Sequence, residues 1–183
     1  MVTRSEPETA LLVVDAQVGV LASVWESNRL IANIEALVGK ARNAGAPILW
    51  VQHADRELKY GSDTWKLAPP CVPLSTEPVI HKQYNSSFAK TDLDQRLRDL
   101  GVERIVLAGA ATNWCIRSTA YSAMDRGYDL VIASDAHSTE NLAADNGKAV
   151  SAQDIVAEFN AVMRWISAPD VRIEIEATQD ISF

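Results

Sequence analysis

"RIVLAGAATNWCIRSTAYSAMDRGYDLVIA", residues 104–133, changes its apolar period twice. Arg104 to Ala108 is a short run rich in apolar and β-branched side chains, bounded by Gly109, and reads as a strand buried on both faces. After it Ile116, Ala120, Ala123 and Met124 recur near every 3.6 residues, the spacing of one helix face, until Gly127 stops the pattern. Leu130 to Ala133 is a strand again. A strand, a helix and a strand in this order make one unit of a parallel sheet.

The same alternation continues in both directions. Upstream, Ala10 to Val14 form a first strand that ends at Asp15. A helix follows with Leu30, Ile31, Ile34, Leu37, Val38 and Ala41 on one face, stopped by Gly45-Ala46-Pro47. Ile48 to Val51 form a second strand. Residues 54–77, with Pro69-Pro70 and no clear period, read as a long loop available to line a site. Pro78 to Ile80 form a short third strand, and Thr91 and Asp94 have cap-like spacing ahead of a helix carrying Leu93, Leu97 and Leu100. Downstream, "SDAHSTENLAADNGK" is a loop in which His137 is expected to be held by local hydrogen bonds. A last helix with Ile155, Val156, Phe159, Val162, Met163 and Ile166 on one stripe leads through Pro169 to a final strand, Val171 to Ile175. The expectation is one α/β domain over residues 1–183. Its three αβα layers enclose a doubly wound, mostly parallel six-stranded, Rossmann-like sheet of order 3-2-1-4-5-6.

Composition narrows the function. With 183 residues, 48% of them hydrophobic, the chain can bury one substantial core. A formal charge of −7 sets it against phosphate backbones and anionic membranes, so neither nucleic acid nor a membrane is an expected partner. No apolar run approaches the ~18–20 residues of a membrane span, and "MVTRSEPETA" lacks the ~7–15 apolar residues of a signal peptide, so a cytoplasmic protein is expected. Two cysteines, Cys71 and Cys115, are too few for a disulfide framework and read as free thiols.

In a doubly wound sheet ligands bind beyond the carboxyl ends of the strands, where the winding reverses between strands one and four. Asp15 ends the first of these, and Ala110 to Cys115 follow the other. Lys82 lies just past strand three and can reach inward. A carboxylate, an ammonium and a thiol thus converge from three distant parts of the chain. With Thr112 as cap, Cys115 would be the third helical residue, where free N–H groups, the helix dipole and a nearby Lys⁺ favour a thiolate. The N–H groups of Ala111 and Cys115 could converge on an oxyanion, as acyl transfer requires. Gln17 and Trp114 are the candidate substrate-binding side chains, and Cys71 reads as filler.

At these residues the chain resembles the isochorismatase-like cysteine hydrolases, which include nicotinamidases, N-carbamoylsarcosine amidases and ureidoacrylate amidohydrolases. "LLVVDAQ", "HKQYNSSF" with "TDL", and "LAGAATNWCIRSTAYSAMDRGY" carry the resemblance, in order, between about residues 10 and 140. It implies that Asp15, Lys82 and Cys115 are a catalytic triad, and that the Ala110–Ala111 peptide is cis and turns the Ala111 N–H toward the oxyanion. It also implies dimers or tetramers. Nicotinamidases of this family hold a metal with an Asp-x-His and further histidines. "WVQHADRE" here offers His53 and Asp55 in the opposite order, and only His81 and His137 remain, so no metal and no cofactor are expected.

The leading expectation is therefore a metal-independent hydrolase cleaving a C–N bond of a small amide, carbamoyl or ureido substrate through a thioester. A vinyl-ether hydrolase of the isochorismatase type, whose members lack the cysteine, is the alternative within the family. A thiol redox sensor and a retired scaffold are the alternatives outside it.

Overall fold

Thr9–Val14 (β1) is buried at every position, which only a central strand with covered faces allows. The computed structural model describes residues 8–143 and 147–183. Around β1 it arranges Ile48–His53 (β2), Val79–Lys82 (β3), Arg104–Ala110 (β4), Asp129–Ser138 (β5) and a C-terminal strand, Ile173–Glu176. These six strands form one sheet, and every neighbouring pair in it is parallel. Counted along the sheet's own strands the order is 3-2-1-4-5-6, as expected. By chain order the last is β8, because a small hairpin of Leu142–Ala143 (β6) and Ala149–Val150 (β7) precedes it. The hairpin takes up the end of the expected loop "SDAHSTENLAADNGK" and the two residues after it, and residues 144–146 lie outside the described residues.

Two cores flank the sheet. On one face Leu30, Ile34, Leu37, Val38 and Ala41 of the helix Ser27–Ala44 (α2, after a single short turn Val18–Leu21, α1) pack on Leu11, Val13, Trp50, Val106 and Val131. On the other face three helices, Leu93–Asp99 (α3), Arg117–Met124 (α4) and Ala152–Trp165 (α5), pack Leu93, Leu97, Ala120, Phe159 and Met163 on Leu12, Leu49, Ile105 and Leu107. The α2 stop is as read: Gly45 sits at φ 72 and its N–H closes the helix end.

Three local expectations change. Thr91 and Asp94 do not build a capping box; the Thr91 hydroxyl donates to the Ser87 carbonyl at 2.6 Å, and Asp94 pairs with Arg98 four residues on. His137 is not in a loop, because β5 runs on to Ser138. Thr112 does not cap the helix after β4, which opens as a π-turn over Thr112–Ile116 before α4.

The long segment between β2 and β3 is stitched to the residues after β1. Val18 N–H donates to the Lys66 carbonyl, Gly19 N–H to Thr64 and Ala68 N–H to Ala16, at 2.7–2.9 Å. This segment therefore covers the carboxyl end of the sheet as a fixed arm.

Candidate active site

β1 and β4 touch more closely than any side chain between them would permit. Gly109 has φ 127, and a Cβ built on it would lie 1.9 Å from the Val14 carbonyl oxygen. Glycine is required there for both reasons. Directly beyond, Asp15 ends β1 with φ 51, a left-handed conformation rare for a residue with a side chain, and this kink turns its carboxylate across the strand ends. The Ala110–Ala111 peptide bond is cis. The Ala111 carbonyl then accepts the N–H groups of both Trp114 and Ile116, which fixes the first turn around Cys115.

The structure brings together the three side chains that the sequence singled out. Lys82 Nζ donates to Asp15 Oδ2 at 2.6 Å and to Cys115 Sγ at 3.2 Å. Asp15 is 1% exposed, Lys82 2% and Cys115 9%. The other carboxylate oxygen, Asp15 Oδ1, is buried and takes no hydrogen bond. A buried charge pair of this kind is costly to break by removing one member.

The electrostatics reverse one expectation. Burial, seconded by the Asp15 carboxylate and opposed by Lys82, pushes the Cys115 thiol up to about 12. Loss of water and a neighbouring anion thus favour the protonated sulfur, against the lysine that was expected to ionise it.

Gln17 does not face an open pocket. It is fully buried, and its amide brackets one residue: Oε1 accepts the His53 N–H at 2.8 Å, while Nε2 donates to the His53 carbonyl at 3.0 Å and to the Trp65 carbonyl at 2.7 Å. Trp114, beside the thiol in sequence, is half exposed. Trp65 packs with tilted rings against Tyr60 and His81 outside the charged cluster. Cys71 is buried away from the cluster among the α2-side residues.

Two histidines named in the sequence reading make contacts it did not foresee. His53 Nδ1 lies 3.3 Å from Lys82 Nζ. The register makes His53 and Lys82 direct neighbours on β2 and β3, so the strand order 3-2-1 combined with period-2 alternation could have found it. The second is His137. It is 1% exposed, with Nδ1 2.9 Å from the Thr112 hydroxyl and Nε2 3.0 Å from Asn160 Oδ1. Burial holds its pKa down at about 4, so the ring is neutral and ties the π-turn to β5 and α5. No local pattern signals that pairing. Among the described residues no group of three His, Cys, Asp or Glu side chains is placed to hold a metal ion, and no helix is long and apolar enough to cross a membrane.

A parallel doubly wound sheet with a thiol, a carboxylate and an ammonium buried at its winding reversal defines a class of small α/β enzyme. The Isochorismatase domain model matches residues 9–167, and the chain belongs to the isochorismatase family as one of its hydrolases. It is similar to streptothricin hydrolase of Streptomyces noursei, 30% identical over 174 residues that cover 91% of this chain and 68% of that one. It is 30% identical over 123 residues to maleamate amidohydrolase of Pseudomonas putida, covering 61% of this chain and 58% of the relative. Among solved structures, an isochorismatase from Pseudomonas putida KT2440 superposes with a TM-score of 0.86 at 26% identity, covering 97% of this chain and 94% of that one.

Proposed function

We propose that this protein hydrolyses a C–N bond of a small amide, carbamoyl or ureido compound, using Cys115 as nucleophile, Asp15 as acid and base and Lys82 as the cation that holds them, without a metal. The observation that carries this reading is the buried Lys82 ammonium touching both Asp15 and Cys115, with Asp15 Oδ1 left free. Two relatives named for hydrolase activity, one of them an amidohydrolase, support the bond type.

Because the resting sulfur keeps its proton, attack and proton transfer are coupled. Asp15 Oδ1 takes the Cys115 proton as Sγ bonds to the substrate carbonyl carbon, and the oxygen becomes an oxyanion met by the Ala111 and Cys115 N–H groups. Collapse breaks the C–N bond while Asp15 returns the proton to the departing nitrogen, leaving a thioester. Water then loses a proton to Asp15 and attacks the thioester. The C–S bond breaks, the acid is released, and the thiol is restored. An oxidant sensor is disfavoured by the same thiol, which burial and the Asp15 carboxylate hold away from ionisation.

The test is ammonia release by the purified protein against a panel of small amides, carbamoyl compounds and ureido acids, with intact-mass detection of an acyl adduct. Turnover and an adduct that both vanish in Cys115→Ala are expected. Full turnover in that variant would overturn the reading.

A further inference from the structure

We propose that His53 is a positioning residue for Lys82, the neutral acceptor that engages the ammonium's third N–H, with Asp55 setting its tautomer. The proposal rests on the reading of Cys115 and Lys82 given above and extends their group by one member.

An ammonium carries three donors and no acceptor. With its side chain shut off from solvent, Lys82 must satisfy all three within the protein. Asp15 Oδ2 takes one at 2.6 Å and Cys115 Sγ one at 3.2 Å, and His53 Nδ1 stands at 3.3 Å for the third. Without that acceptor the ammonium is a three-fold rotor with one buried N–H unpaired. With it, the other two N–H bonds are aimed at the carboxylate and the sulfur.

Nδ1 can accept only when the imidazole is neutral and carries its proton on Nε2. The ring's neighbours select that tautomer, with a donor facing Nδ1 and an acceptor facing Nε2. Nε2 lies 3.1 Å from Asp55 Oδ2, and the Asp55 carboxylate is itself held below the ordinary range, first by the Leu58 N–H and then by that of Glu57. The His53 backbone is clamped on both sides by the Gln17 amide. This gives the buried Gln17 a purpose: it fixes the strand end from which His53 reaches Lys82. On its outer side His53, with Asp55, Leu58, Thr64, Gly19 and Val20, lines a cleft of about 360 Å3.

The test needs no substrate. Alkylation of Cys115 by iodoacetamide is followed by peptide mass spectrometry across a pH series, with Cys71 as internal control, in the unmodified protein and in His53→Ala, His53→Asn and His53→Gln. Asn places an amide oxygen where Nδ1 stands, whereas Gln reaches toward the Nε2 position and Asp55. In His53→Ala the Cys115 rate at fixed pH is expected to fall roughly tenfold, the effect of raising the thiol's pKa by one unit as Lys82 loses its aim. His53→Asn restores most of the rate and His53→Gln does not, an order that packing volume would reverse. Four overlapping Cys115 profiles, or recovery by Gln as good as by Asn, would overturn the proposal. Absence of amide turnover in the unmodified protein would leave the alkylation order readable, so the two readings fail separately.

Discussion

Cys71 and Cys115 are both buried, and burial is the leading reason why both hold their protons tightly, up to about 11 for Cys71 and about 12 for Cys115. Judged by the ease of forming a thiolate they are near equals, and the one proposed as nucleophile is the worse. The difference is in what they touch. Cys71 follows the prolines of the fixed arm and packs among apolar side chains of the α2 face, with Glu35 as the charge that adds to its shift. Cys115 touches an ammonium that is itself bound to a carboxylate with one free oxygen. A buried thiol becomes a candidate nucleophile when a base stands ready to take its proton during the reaction, and its resting ionisation says little about that.

The comparison breaks most sharply at the sulfur atoms themselves. Cys115→Ser should lower turnover by at least about a thousandfold with an unchanged circular dichroism spectrum, whereas Cys71→Ser should stay within about twofold, measured as ammonia release on whichever substrate the panel identifies. If the Cys71 variant were the inactive one, the assignment would be reversed. Next in size is the base. Asp15→Asn should cost about 10²–10⁴ in rate, and by leaving the Lys82 charge unpaired it should also cost about 3–5 kcal/mol in urea unfolding. The corresponding change beside the other thiol, Glu35→Gln, should leave activity in place.

The backbone sharpens the contrast. Gly109→Ala pushes a methyl group into the Val14 carbonyl at a backbone angle suited to glycine, and a loss of at least about 3 kcal/mol is expected in the same urea experiment. On the arm leading to Cys71, Gly61 also has a positive φ but faces open space, so Gly61→Ala should cost about 1 kcal/mol. A smaller cost at Gly109 than at Gly61 would mean that the close approach of β1 and β4 is not needed.

The last effect is a pH slope tied to the Cys115 side alone. His137 is held at about 4 when folded against 6.5 when free, so the unfolded chain binds the extra proton between those values. Its contribution is therefore complete above pH 6.5 and is lost as pH falls toward 4, up to roughly 3 kcal/mol. Unfolding free energies measured at pH 7 and pH 4.5 should show this loss, and His137→Asn should flatten it. An unchanged slope in that variant would remove His137 as its source.

Much of this was legible before any coordinates. The strand and helix alternation around residues 104–133 is a matter of side-chain period, which short stretches of chain carry by themselves. Strand order and the winding reversal then bring Asp15, Lys82 and Cys115 to one edge. Most of what failed depended on a partner outside the local stretch. Thr112 has the composition of a cap, yet its hydroxyl is taken by His137 on β5. Gln17 sits two residues past Asp15, yet its amide is consumed by the His53 backbone.

The order of residues alone determined the layers, the direction of the strands and which three side chains reach the sheet's switch point, since periodicity and strand-end position are local properties. The sign of the Cys115 shift, the third contact of the Lys82 ammonium and the neutral state of His137 were decided only when distant segments closed over these groups and removed water. A titration or a hydrogen-bond count depends on everything within a few ångströms in space, and the chain brings those neighbours together from segments far apart in sequence.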